Sequence, residues 1–590
     1  MYYLAIFIKS FLSLFAMMRL CGISVKNPLS LVLFMVFAYI FSKFHSDRIQ
    51  SHVETADPFL AGGMSMLFTI FTLCAQYSVI LDGMENQLFC IVILLFSGIG
   101  LLIVYYHLIL WILQAAGTLR ITTSGYSYAW LPYATSVLCI VCWLPYFLYE
   151  YPGIMTPDSI NQYAQVIGAY QLSNHHSIVH TGMIGLFYSL GVSFTGDIHF
   201  GIALYTIAQM VFMAFVAGYV IKTLQKASVR FSILILTISF YALMPYHGIL
   251  SVTLWKDIPF AGCMTLFTAS LMRFLLRGNF TASAEDIPKL SVNEYFTLVL
   301  PYSISCILLC LLRSNGWYVF VIMVPFILII YRKCPKFIIP VHMVILVMVL
   351  FIKVPVMNIY AIPQADFVES LSVPAQQIAR VFAIGEPLSK QQTAFVEQLM
   401  DIEQMPEVYQ PDVSDNIKNL IRQRGSYFLS THKADFFKVW FSIGVQHPKA
   451  YLDAYVEQTK GYWYPDISSE AGLLSDGIYP NEFGLTWQPI LHGTYLVKIK
   501  EILLKLPDLI PLYGILWSMG SMFWLCLLAI ALNLRVRKIA NALVCLPSIL
   551  LILTLCIATP VSNEFRYAYP VFYALPLLVL SPFIQSESYS

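Results

Sequence analysis

The chain has 590 residues, 58% of them hydrophobic, 15% aromatic and only 11% charged, with a formal net charge of +2. Soluble globular chains carry about a quarter charged residues, so this composition excludes that class, and near-neutrality without a basic stripe excludes a nucleic-acid partner. Apolar runs long enough for a ~30 Å hydrocarbon core recur along the chain, which points to an all-α, multi-pass integral membrane protein.

In chain order, spans are expected near residues 3–21, 28–43, 59–80, 88–112 and 129–148, then 198–222, 229–249, 258–276, 296–312, 316–332 and 336–354. Three more fall near 509–533, 538–559 and 567–584, about fourteen in all. The first run lacks a small-residue cleavage site and reads as a retained helix. Four parts follow: N-terminal helices (1–125), a core (126–354) with a loop at 149–196, a polar segment (355–505) and C-terminal helices (506–590).

With a cytoplasmic N-terminus and alternating spans, fifteen Lys and Arg fall in the inner short loops. Only Arg19, Lys26, Lys256, Arg313 and Arg566 fall in the outer ones. The positive-inside rule then places both termini in the cytoplasm, and the loop and the polar segment outside the cell membrane. This alternation has residues 177–196 lying along the outer interface rather than crossing.

Cys139-x-x-Cys142 sits in a span without a second pair and reads as packing, and the polar segment contains no cysteine. That segment shows apolar residues at helical spacing, with Pro374 and Ser389 as helix starts. An extracytoplasmic, mainly helical domain is expected there.

The longest polar interruption in the first half runs from Tyr149 to Gly182 and contains Asp158, Gln162, His175, His176 and His180 but no Lys or Arg. Asp158 reads as a helix N-cap, with Ser159 and Gln162 spaced as a capping box. The same carboxylate suits a general base or a ligand for a divalent metal beside a phosphate. For the histidines, zinc, hydrogen bonding to an oxyanion and a structural role all stay open. Lys256 and Asp257 are adjacent, so their side chains point apart on a helix. Separate partners are expected: a phosphate for Lys256, a metal or an acceptor for Asp257. Arg313, in Arg-Ser-Asn-Gly, is not required by the turn, and a guanidinium reads phosphate bidentately. Arg566 suits either a phosphate or its neighbour Glu564. In the polar segment Gln377 and Arg380 lie near one helix face, and Trp463, Tyr464 and Asp466 form an aromatic-acidic cluster. Both sets suit a sugar, and both suit ordinary packing.

The stretches YPGIMTPDSINQYAQ, NHHSIVHTG, LWKDIPFA, LLRSNGWYVF, VPAQQIARV, GYWYPD and NEFRYAYPVF resemble an uncharacterised family of multi-pass membrane proteins from Gram-positive bacteria. That family is in turn similar to the GT-C class of membrane glycosyltransferases. The resemblance runs from about residue 150 to the C-terminus and leaves the first five helices aside. It implies a GT-C-like fold, a polyprenyl-phosphate-linked sugar as donor, and a cell-envelope glycan or lipid as acceptor, among membrane lipids. Asp158 and Asp257 would be the catalytic carboxylates, as base or metal ligand, with a divalent metal (Mg or Mn) as an open option, and Lys256, Arg313 and Arg566 the phosphate contacts. The first loop holds a single Asp where many class members have a paired Asp-Glu. Rival readings are a lipid-linked glycan flippase and a non-catalytic envelope assembly protein.

Overall fold

The computed structural model describes residues 2–44, 56–122, 128–277, 291–332, 334–465 and 477–584. The described residues are 77% helix with no strand. They form two compact units, Met1–Arg120 with Leu527–Ile539, and Ile121–Cys526 with Ala540–Ser590. Arg48, Lys289 and Lys333, three of the inner-loop cations, and Asp466 lie outside the described residues.

In the first unit α1 (Tyr2–Leu20), α2 (Leu29–Phe44), α3 (Asp57–Ile80) and α4 (Gln87–Thr118) follow one another. Both α1 and α3 pack along α4. Gly100 makes the first contact possible, because a Cβ there would stand 2.1 Å from the Leu12 carbonyl oxygen. Asp57, fully buried, opens α3 and accepts two bonds from Arg535, at 2.7 Å from Nε and 3.2 Å from Nη2.

The second unit, counting helices of ten residues or more, starts with α5 (Leu131–Tyr149), α6 (Pro157–Val166), α7 (Ile178–Thr195), α8 (Ile198–Lys226) and α9 (Phe231–Leu243). It continues through α10 (Asp257–Arg277), α11 (Leu300–Leu312), α12 (Ser314–Ile330) and α13 (Pro335–Phe351). The polar segment supplies α14 (Ser372–Ala383), α15 (Lys390–Leu399), α16 (Asp415–Arg424), α17 (Lys433–Gln446) and α18 (Pro448–Trp463). Last come α19 (Thr494–Leu509), α20 (Met519–Arg535), α21 (Leu546–Ile557) and α22 (Phe565–Leu580). The final turns of α20 belong to the first unit.

Helix α10 is the axis of this unit, with 94% of its apolar window buried against α8, α11 and α22. A helix apolar all round requires such a surround. Gly262 lets α8 approach closely, since a Cβ there would meet Phe212 at 2.5 Å. The first residue of this central helix is Asp257, so its position follows from the core.

Nine described helices are long and apolar enough to cross a membrane, and α9 with Pro245–Ser251 forms a further pair bent by 48°. Four shorter apolar helices accompany them. Length and apolarity thus establish an all-helical, multi-pass membrane architecture and stop short of the expected fourteen. Helix α7, expected to lie along the interface, is an 18-residue helix that itself passes the test for a span.

The polar segment is helical, as its periodicity predicts. Val368, Leu371, Ile378, Val396, Ile417 and Phe436 share one apolar core. Ser389 starts α15 with a capping box: its hydroxyl accepts from the Gln392 amide, while Gln392 Oε1 accepts from the Ser389 amide.

Candidate active site

Four segments far apart in sequence are tied together before any charged group is considered. Ser159 Oγ donates to the Leu254 carbonyl at 2.6 Å, joining α6 to the Trp255–Asp257 turn. Gln209 Nε2 holds the same turn through the Ser251 and Thr253 carbonyls. Ser177 Oγ donates to the Leu311 carbonyl at 2.8 Å and fixes the histidine loop to the end of α11. Asn315 Nδ2 reaches Thr554 Oγ1 on α21 at 2.8 Å. Gly316 completes that turn, for a Cβ there would stand 2.0 Å from the Leu309 carbonyl oxygen.

These ties bring Asp158, Lys256, Asp257, Arg313 and Arg566 into one cluster. Arg566 Nη1 donates to Asp158 Oδ2 at 3.1 Å, and its Nε lies 3.6 Å from Glu564 Oε1. Its guanidinium rests 4.7 Å from the Trp255 ring centre and 5.0 Å from that of Tyr567. The Arg313 guanidinium stands 4.6 Å from the same Tyr567 ring and pairs with Asp257. Three carboxylates therefore face three cations, and the cluster is close to neutral.

The pairs are not equivalent. The Asp257 side chain is 3% exposed and turned to Arg313, whereas that of Asp158 is 44% exposed. Asp158 is open to an incoming ligand; Asp257 serves to hold Arg313. Lys256 has neither an ion pair nor a side-chain hydrogen bond among the described residues. Burial pushes its ammonium pKa down, as do Arg313 and Arg566, against the pull of Asp257 and Asp158. A cation so placed is served by an incoming anion.

Burial works to raise the Asp158 pKa, and Arg566, His176 and Lys256 outweigh it, holding the carboxyl below its ordinary value. Glu564 goes the other way. Burial raises it, and Asp257 and Asp158 add to the rise despite Arg566. His176, 8% exposed and without a side-chain hydrogen bond among the described residues, is pushed down to about 4 by burial and then by Lys256.

Several expectations are corrected. Asp158 does not cap α6. Thr156 occupies the N-cap position, and Gln162 spends its amide on His180 and Thr181 instead of a capping box. Asp158 instead sits in the first turn, where the helix dipole favours a negative charge. His180 is a core histidine, bonded to Gln162 at 2.9 Å and Tyr205 at 2.7 Å, which removes it from any zinc site with His176. His175 lies half exposed, 4.0 Å from Glu369, and touches His176 edge to face. Gln377 is occupied inside the polar segment, accepting from Trp440 and donating to the Tyr451 carbonyl. Arg380 pairs with Asp453 at 3.8 Å. Neither meets the cluster. Trp463 and Tyr464 are buried, and Trp463 donates to Thr459 at 3.1 Å, so they offer no face to a sugar.

Trp255, Tyr567 and the side chain of Glu564, 12% exposed, are the parts that sequence reasoning undervalued. Each adjoins a charged residue already singled out, and that adjacency was the available signal. The polar segment contributes indirectly by gripping the loop that leads to Glu564. Gln458 donates to the Thr559 carbonyl at 2.8 Å, Tyr462 to that of Val561 at 2.8 Å, and Ser414 to that of Pro560 at 2.9 Å.

Fold and site thus define an all-helical membrane protein with a near-neutral cluster of paired charges and one cation left over. Residues 168–589 match the model of a family of unknown function, DUF6020, and the chain belongs to that family. The match takes in every residue of the cluster except Asp158, which lies just before it. No curated protein and no solved structure matches the chain.

Proposed function

We propose that the protein transfers a sugar from a polyprenyl-phosphate donor to a cell-envelope glycan or lipid acceptor at the outer face of a bacterial cell membrane, with a GT-C-like arrangement of spans. One observation carries the reading: the Lys256 ammonium, without an ion pair among the described residues, stands within electrostatic reach of the half-exposed Asp158 carboxylate in a cluster drawn from four distant segments. The acceptor hydroxyl oxygen attacks the anomeric carbon of the donor. The bond from that carbon to the phosphate oxygen breaks, its electron pair leaving on the phosphate, and the hydroxyl proton passes to Asp158. Lys256 meets the phosphate, while Arg566 keeps Asp158 ionised and Arg313 holds Asp257 in place. Positioning and fixed charge supply such catalysis. No step is routed through a metal: Asp158 and Asp257 already face guanidiniums, and no three of His, Cys, Asp and Glu converge on a metal site among the described residues.

The bent pair of α9 and Pro245–Ser251 favours a second reading, a lipid-linked glycan transporter, because broken helices mark transport paths. Purified full-length protein in detergent separates the two. Incubated with polyprenyl-phosphate-linked hexoses and envelope acceptors, a transferase releases polyprenyl phosphate without any sealed compartment, and Asp158→Asn does not. Absence of release across the donor panel, with lipid movement retained in vesicles, would leave the transporter.

A further inference from the structure

We infer that the N-terminal unit holds one anionic phospholipid in a groove formed by α1, α3 and α4. The groove has a volume of about 600 Å³ and includes Lys9, Gly62, Ser65, Thr69, Gly98 and His107 in its lining. Small-molecule sites occupy roughly 300–1,000 Å³, so the space suits one hydrocarbon chain better than a long polyprenyl tail.

Two polar groups make this more than a lipid-facing furrow. Lys9 lies within the span α1, and it has no ion pair or hydrogen bond from its side chain among the described residues. A charge within a span is costly unless it is partnered or reaches the interface. Thr69, 7% exposed, lines the same groove with a hydroxyl that has no partner among the described residues. An ammonium and an unspent hydroxyl in the lining of an otherwise largely apolar groove match a phosphodiester headgroup carrying an acyl chain. The groove owes its width to small residues: a Cβ on Gly62 would touch nothing within 4 Å.

This site stands apart from the proposed transfer chemistry and survives its failure. Its test is native mass spectrometry of the full-length protein in detergent, with phosphatidylglycerol and phosphatidylcholine of identical chains as probes. Phosphatidylglycerol is expected to be retained at least tenfold better, and Lys9→Leu to bring it down to the phosphatidylcholine level. Gly62→Leu grows into open space, so it folds and displaces both lipids. Equal retention of the two lipids would reduce the groove to a hydrocarbon contact and overturn the proposal. So would undiminished binding in Gly62→Leu, or tighter retention of a polyprenyl phosphate.

Discussion

Two arginine–aspartate pairs, one in each unit, use the same chemistry to opposite ends. Arg535 grips both oxygens of Asp57, whose side chain is fully buried, and the partner is 4% exposed. Arg566 holds one oxygen of Asp158 and leaves the carboxylate 44% exposed. The first pair is closed: a fork-on-fork contact spends both carboxylate oxygens on the protein. The second keeps an oxygen free and has Lys256 nearby. Buried pairing supports a fold, whereas incomplete pairing supports binding.

The contrast can be broken by substitution. The largest effect is expected for Asp158→Asn, which should lower sugar transfer by about 10²–10⁴-fold, the range for loss of a general base, with little change in melting temperature. Asp57→Asn should do the reverse. Removing the buried carboxylate charge that faces Arg535 costs about 3–5 kcal/mol, read as a fall in thermal or denaturant midpoint, while the folded fraction keeps its activity. Equal melting losses in both variants would erase the distinction.

Lys256→Met comes next. Losing the unpaired cation should raise the apparent KM for the lipid phosphate about tenfold, the equivalent of ~1.4 kcal/mol, with a smaller change in kcat. A fall in kcat alone would place Lys256 at the reacting centre and not on the ground-state phosphate.

The smallest effect concerns pH. His176 is held neutral in the fold, its pKa at about 4 against 6.5 unfolded. The unfolded chain therefore takes up the extra proton, and stability is lost as pH falls from about 6.5 toward 4. Melting temperatures of His176→Gln should decline less steeply over that window than those of the parent. Asp158, with its depressed pKa, works in a lower range: its pairing is complete above the ordinary carboxylate value and fades as pH falls through the folded one.

Much of this was legible in the sequence, for identifiable reasons. Apolar run length reports directly on spanning helices, and the Ser389–Gln392 box is read from local spacing. Asp158, Lys256, Arg313 and Arg566 stood out because charge is conspicuous in an apolar chain. Local spacing misled at Asp158, where a capping-box pattern competed with tertiary partners for Gln162 and lost. Periodicity gave the right helix for Gln377 and Arg380 without saying which surface it meets. The 408 residues between Asp158 and Arg566 span a contact that no local pattern encodes.

That separation has a consequence for how the molecule is made. The chain emerges from the ribosome with Asp158 408 residues ahead of its counter-ion. At about 5–20 residues per second, the carboxylate waits roughly 20–80 s for Arg566 to be synthesised. Messenger truncation or stalling before the last helix therefore yields a product that keeps most of its spans but lacks a finished centre. The cluster is therefore complete only once Arg566 has been made, and any chemistry that needs both residues waits for it.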